Sequence, residues 1–236
     1  MPGQNSKAKI KITKDGPYIV RGGVPLAKEA IICDEEGTPL RWERGEPYPA
    51  KETYALCRCG QSGHKPFCDG AHAKTGFDGT ETASREKYLE QAETIAGPDL
   101  ILTDAEKLCA VARFCHRVED AWSHTENSAD PESRKIAIGE AADCPSGRLV
   151  AWDKKTDQPI EPELAPSIGL VEVPAAKSSG PIWVKGGLPV ESAEGAEYEP
   201  RNRVTLCRCG QSKNKPLCDG THLLAGFSAE DETPEK

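Results

Sequence analysis

Aromatic side chains are scarce in this sequence, 6% of 236 residues, and methionine occurs once. Hydrophobic residues reach only 37%, below the usual share, which predicts small cores joined by much loop. No apolar run approaches the roughly 20 residues of a membrane helix, and the first 30 residues lack the apolar core of a signal peptide. A cytoplasmic protein with no membrane partner is therefore expected. No basic stripe is present either. The net charge is −8, which argues against nucleic acid as a partner. The one basic run, Lys7, Lys9, Lys11 and Lys14, and the acidic stretch from Glu230 to Glu235 read as solvated ends. No Ser-His-Asp set, phosphate loop or paired-acid site appears, so no enzyme is expected.

The sequence is rich instead in glycine (22), proline (19) and cysteine (10). With so little apolar material, part of the stability is expected from bound metal. Cysteines in a reducing compartment point to metal or redox chemistry rather than to disulfides.

An internal repeat organises the chain. Residues 57–72 read CRCGQSGHKPFCDGAH and residues 207–222 read CRCGQSKNKPLCDGTH, identical at twelve of sixteen positions, and each continues to a Gly-Phe pair, Gly76-Phe77 and Gly226-Phe227. Upstream, GPYIVRGGVPL from Gly16 resembles GPIWVKGGLPV from Gly180. Tyr18-Ile19-Val20 and Ile182-Trp183-Val184 are short apolar runs bounded by Pro and Gly, as buried strands are. Further strands are predicted around Ile10 to Thr13, Tyr54 to Leu56 and Val204 to Leu206. The unit is a strand plus a cysteine loop.

Each loop offers Cys-x-Cys, eight residues, Cys, three residues, His. Cys57 and Cys59 stand close enough to chelate one metal, while Cys68 and His72 at i and i+4 share a face if a helix begins at Asp69-Gly70. Pro66 and Pro216 stiffen the approach to the third cysteine, and Asp69 and Asp219 read as anchors of the turn rather than ligands. Three thiolates and an imidazole are also a structural zinc set, so spacing alone leaves zinc and iron–sulfur chemistry open.

The pattern C-x-C-x2-S-x3-P-x-C-D-G-x-H, met at Cys57 through His72 and at Cys207 through His222, resembles the signature of the CDGSH iron–sulfur domain family. It departs only in the small residue before the histidine, Ala71 and Thr221, and covers about half the chain. The resemblance implies two [2Fe-2S] clusters, one held by Cys57, Cys59, Cys68 and His72, the other by Cys207, Cys209, Cys218 and His222, each with an outward-facing histidine. It further implies electron transfer or cluster transfer to an unidentified redox or cluster-acceptor protein. The alternative is a zinc-stabilised interaction module. Because His64 in the first loop is replaced by Asn214 in the second, the two clusters are expected to differ; His64 itself reads as a solvated loop residue.

The expected architecture is α+β: two small β-rich cluster-binding units (1–83 and 166–236) in a pseudo-twofold arrangement that allows exchanged strands, and a mainly helical insert (84–165). Such a chain is expected to be a monomer with an internal pseudo-dimer. In the insert, Thr103 and Glu106 form a capping box ahead of Leu108, Val111, Ala112, Cys115, Val118 and Trp122, which predicts an amphipathic helix. On that helix Cys109 and Cys115 are roughly 120° apart, so Cys109, Cys115 and Cys144 are expected to bind no cluster, despite a faint CP-x-G ending at Cys144. Cys115 reads as a buried structural thiol, Cys33 as a core residue, and His116 and His124 as surface histidines. Trp42, Trp122, Trp152 and Trp183 read as core anchors. The five prolines from Pro159 to Pro181 predict a linker back to the second repeat.

Overall fold

The computed structural model describes residues 8–49 and 51–229; Lys7 and the acidic stretch from Glu230 lie outside them. Two sheets built from the repeats share one core. In the first sheet β1 (Lys9–Ile12) and β2 (Tyr18–Arg21) form an antiparallel hairpin, and β5 (Thr53–Leu56) pairs with β2. In the second, β10 (Ser167–Val173), β11 (Ser178–Lys185) and β13 (Arg203–Leu206) repeat that antiparallel order. Strands that follow the hairpins have changed places. From the first repeat, β3 (Leu26–Cys33) runs parallel to β10, carrying β4 (Pro39–Pro47) at its outer edge, while β12 (Val190–Glu191) of the second repeat runs parallel to β1.

Period-two alternation turns Ile10, Ile12, Tyr18, Val20, Tyr54 and Leu56 inward against Ile168, Leu170, Ile182, Val184 and Leu206, and the two faces form one apolar cluster. Because each sheet contains a strand from the other repeat, neither repeat can bury its own core alone. Lys9 and Lys11 are not merely solvated: both pair with Glu191 on the exchanged β12, Lys9 at 2.7 Å.

The proline-rich stretch is not a linker. Pro166 and Pro174 flank the strand β10, and Pro181 lies where the pairing of β10 with β11 shifts register, positions at which a missing N–H costs no ladder bond.

The insert is less helical than its sequence predicts. Four antiparallel strands, β6 (Glu93–Ala96), β7 (Leu100–Asp104), β8 (Leu149–Asp153) and β9 (Gln158–Ile160), form a sheet in sequence order. Against it pack α3 (Ala121–Glu126) and α4 (Pro131–Ala142), burying Leu102, Ala121, Ala141, Leu149 and Ala151. The short α2 (Tyr88–Gln91) precedes the sheet. Asp120 and Asp130 cap α3 and α4 by accepting from the Ser123 and Ser133 amides.

The helix predicted after Thr103 does not form. Thr103 belongs to β7, laddered on both sides, and beyond it the chain makes only single turns at Glu106–Leu108 and Phe114–His116. Positive φ at Val111 (57°), Arg113 (64°) and Glu119 (54°) rules out a continuous helix. His124 is buried as well, with Nε2 2.7 Å from the Val118 carbonyl, whereas His116 is exposed. Of the tryptophans Trp183 is buried; half-buried Trp42 stacks on it and on Phe114, beside half-buried Cys33.

Arg203 of β13 fastens the insert to the second repeat. Its guanidinium is 1% exposed and donates to the carbonyls of Ala141, Ala142 and Cys144 at the end of α4, and it pairs with Glu161. These are the acceptors that a helix C-terminus leaves unsatisfied. The strand leading into Cys207 thus also fixes the backbone of Cys144. Among the described residues no helix is long and apolar enough to cross a membrane.

Candidate metal centres

In the first repeat the chain leaves β5 at Leu56 and folds back on itself: the Cys57 amide donates to the Pro66 carbonyl (2.8 Å) and the Cys68 amide to that of Ala55 (2.9 Å). This brings Cys68 beside the Cys-x-Cys pair. Ser62 Oγ donates to the Phe67 carbonyl and accepts from the His64 amide. Asp69 accepts from the amides of Ala71 and Gly63, bonds that hold its carboxyl below the usual range. Its oxygens are thus committed to the turn. From Gly70 starts α1 (Ala71–Thr75), which sets His72 Nδ1 3.4 Å from Cys68 Sγ, while Cys57 and Cys59 stand 3.8 Å apart.

The second repeat copies the arrangement. Cys207 and Cys218 donate to Pro216 and Thr205, Ser212 bonds Leu217, and Asp219 accepts from Lys213 and Thr221. Cys207 and Cys209 are 3.9 Å apart, and α5 (Thr221–Leu224) places His222 Nδ1 3.4 Å from Cys218 Sγ. In both loops the four side chains stand as two pairs. Among the described residues no three His, Cys, Asp or Glu side chains surround a single ion position.

The donor chemistry calls for a cation. Burial pushes the Cys59 thiol up to about 11 and Cys218 up as well, while the hydrogen bond to Cys207 and burial raise Cys209. Thiolates in such surroundings are costly unless metal neutralises them. Burial pushes His222 down to about 4, leaving a neutral imidazole able to ligate.

Sequence reasoning passed over the residue inside each Cys-x-Cys. Arg58 (1% exposed) donates to the carbonyls of Thr13 and Gly79, and Arg208 (3% exposed) pairs with Glu172 at 2.7 Å. Each buried arginine thus ties the residue between two cysteines to backbone or carboxylate elsewhere in the fold; its presence in both copies of the repeat was the available signal. Tyr18 was read only as a strand residue, yet its hydroxyl donates across to the carbonyls of Cys207 (2.9 Å) and Pro216 (3.2 Å). The two loops also touch directly. A Cβ on Gly60 would overlap the Cys209 carbonyl oxygen, and one on Gly210 would stand 2.5 Å from the Cys59 oxygen.

In the insert, the reversals at Val111 and Arg113 bring Cys109, Cys115 and Cys144 to one small cavity, lined also by Ser146 and Arg148. Burial, followed by the charges of Cys144 and Cys109, pushes Cys115 up to about 12. Arg148, bidentate to Asp104 at 2.5 and 2.7 Å, is the counter-charge at the cavity. The 120° separation expected of Cys109 and Cys115 does not apply, since no helix joins them.

Residues 15–73 and 179–223 match the family described as iron-binding zinc finger CDGSH type. The chain carries two CDGSH-type regions in tandem. CDGSH-type domains bind iron–sulfur clusters, and the second family match, residues 95–154 to the divergent 4Fe-4S mono-cluster family, points the same way. That match spans Cys109, Cys115 and Cys144 and opposes the expectation that they bind no cluster. No significant match is found among curated proteins or among solved structures.

The two CDGSH-type sites differ in cover at position after position. Cys68 and Gly70 are half-buried where Cys218 and Gly220 are buried; Asp69 is exposed where Asp219 is half-buried; His72 is half-buried where His222 is 4% exposed. The outward-facing histidine expected of both sites therefore does not hold at the second.

Proposed function

We propose that this chain is a non-catalytic electron-transfer protein holding a [2Fe-2S] cluster in each CDGSH-type loop. Cys57 with Cys59 and Cys207 with Cys209 hold one iron of each cluster; Cys68 with His72 and Cys218 with His222 hold the other. A further cluster sits on Cys109, Cys115 and Cys144. The observation that carries this reading is the pairing of the donors, Cys with Cys and Cys with His, in both loops. Two pairs suit two irons, whereas a single zinc needs all four donors around one point; this favours a cluster over a zinc-stabilised module. The exchanged strands and the reciprocal contact of Gly60 and Gly210 support a pseudo-twofold relation of the halves and a monomer that is its own internal dimer.

When bound, the clusters supply one-electron chemistry. The chain's residues fix the donors: Asp69 and Asp219 hold the turns, and Arg58 and Arg208, bound to Thr13, Gly79 and Glu172, anchor the backbone between the paired cysteines. A neutral imidazole in place of a thiolate removes charge and raises the potential above that of an all-cysteine cluster. The half-buried Cys68 and His72 favour cluster donation to an acceptor protein as a second role for the first site.

Iron and acid-labile sulfide analysis of anaerobically purified protein tests the reading. About four irons and four sulfides per chain are expected from the CDGSH-type loops, with more from the insert. Replacing Cys109, Cys115 and Cys144 together by Ser should remove only the excess and leave the spectrum of the two loops. A colourless zinc protein would overturn the whole assignment; unchanged iron in the triple variant would overturn the third cluster alone.

A further inference from the structure

The insert is not beside the two loops equally. Its segment from Lys107 to Arg113 lies across the second loop. The Lys107 carbonyl accepts from Asn214 Nδ2 at 3.0 Å. A Cβ on Gly220 would run into Val111 Cγ2 and stand 3.7 Å from the Cys109 carbonyl oxygen. From the other side, Thr82 and Ala83 donate their amides to the Lys215 carbonyl (2.7 and 2.9 Å), and Thr82 Oγ1 donates to that of Lys213 (2.7 Å). The second loop is thus clamped along Lys213–Lys215 and covered at Gly220, next to both outer donors. In the first loop His64 is exposed where Asn214 is half-buried, whereas Gly63 and Lys65 match Lys213 and Lys215 in cover.

The sequence difference between the loops fits this contact. Asn214 stands where the first repeat has His64, and its side-chain amide is the group that bonds the insert. Val111 holds a positive φ of 57°, a conformation rare for a β-branched residue and kept only where the surroundings enforce it. That conformation turns its side chain onto Gly220.

We propose that the segment Lys107–Arg113 is a cap that retains the cluster of the second CDGSH-type site, so that the first site is the one through which the protein exchanges iron and sulfide with an acceptor. The proposal rests on the cluster reading above. Leaving the second site requires local opening of the cap; leaving the first does not. In the step itself iron passes to the acceptor's donor atoms, the freed cysteines regain protons from water, and sulfide departs with the iron or as hydrogen sulfide; no electron is gained or lost.

The test uses the full chain with its clusters loaded. Cys59→Ser removes the first loop's cluster and Cys209→Ser the second's, each leaving the insert's cluster in place, so the signal lost in each variant assigns the two loop signals in the spectrum of the reduced protein. Wild-type protein is then challenged with an excess of a strong iron chelator at constant pH, and both signals are followed. The first site should decay about tenfold faster or more. Val111→Gly, which removes the side chain over Gly220, and Asn214→His, which restores the first loop's residue, should each accelerate loss from the second site and leave the first unchanged. Should Val111→Gly fail to fold by circular dichroism, Asn214→His carries the test, because it changes a half-buried side chain whose one insert contact is known. Equal decay of both wild-type sites, or a second site indifferent to the substitutions, would overturn the cap while leaving the clusters in place. Protein purified without iron and sulfide would overturn the cluster reading instead.

Discussion

Substituting Gly60 by Ala probes the contact between the two cluster loops. Gly60 has φ +73° and no room for a side chain: the new Cβ would overlap the Cys209 carbonyl oxygen and lie 2.8 Å from its carbon. Two costs follow. Forcing alanine into a left-handed conformation costs about 1–2 kcal/mol, and overpacking against backbone that cannot rotate away adds about 1–3 kcal/mol. Gly76 supplies the control, since it has φ +65° with nothing within 4 Å of its Cβ position; Gly76→Ala should cost the conformational part alone. Denaturant unfolding of both variants, with cluster signals recorded alongside, separates the parts. Gly60→Ala should be the less stable by about 1–3 kcal/mol, and, although the change lies in the first repeat, it should disturb the second site's spectrum, because the displaced carbonyl belongs to a ligand of that site. Equal destabilisation by the two substitutions, with the second site undisturbed, would refute the direct contact.

Changing His72 or His222 to Cys adds a negative charge at an outer iron and should lower the potential of the altered site only. The shift should be larger for His222, whose buried surroundings screen the charge less; redox titration of each variant reads this out, and an unchanged potential would remove that histidine from the ligand set. Glu140 gives a pH prediction. Burial raises its carboxyl above the ordinary value, although its Oε1 accepts from the amides of Arg117 and Val118. An acid raised on folding is no burden below its unfolded value of 4.5 and destabilises increasingly as pH rises through the folded value. The melting temperature of Glu140→Gln relative to wild type should therefore improve between pH 4 and pH 7; a pH-independent difference would show that Glu140 is not the titrating group.

The strands of the repeats and the pairing of side chains in the loops were legible in the sequence because both are local. Ile10 to Thr13 and Tyr54 to Leu56 alternate with the period of a strand, and Cys68 with His72 is a pair four residues apart. The insert was misread because periodicity outweighed turn chemistry. Leu108, Val111, Ala112 and Cys115 fit a helical stripe, but Leu100–Asp104 and Leu149–Asp153 are short apolar runs between turn residues, and as partners in one sheet they leave the segment between them as connection rather than helix. The difference between the cluster sites was visible and given too small a meaning. His64 against Asn214 is one of four differences in sixteen positions, and what it does depends on a carbonyl 107 residues away, a partner that no window on either repeat contains. A duplicated site can keep all of its donors and still be divided in its work by what a third segment lays over one copy. In this chain that segment also carries Cys109, so the residues that cover the second loop are themselves part of the insert's own thiol cluster.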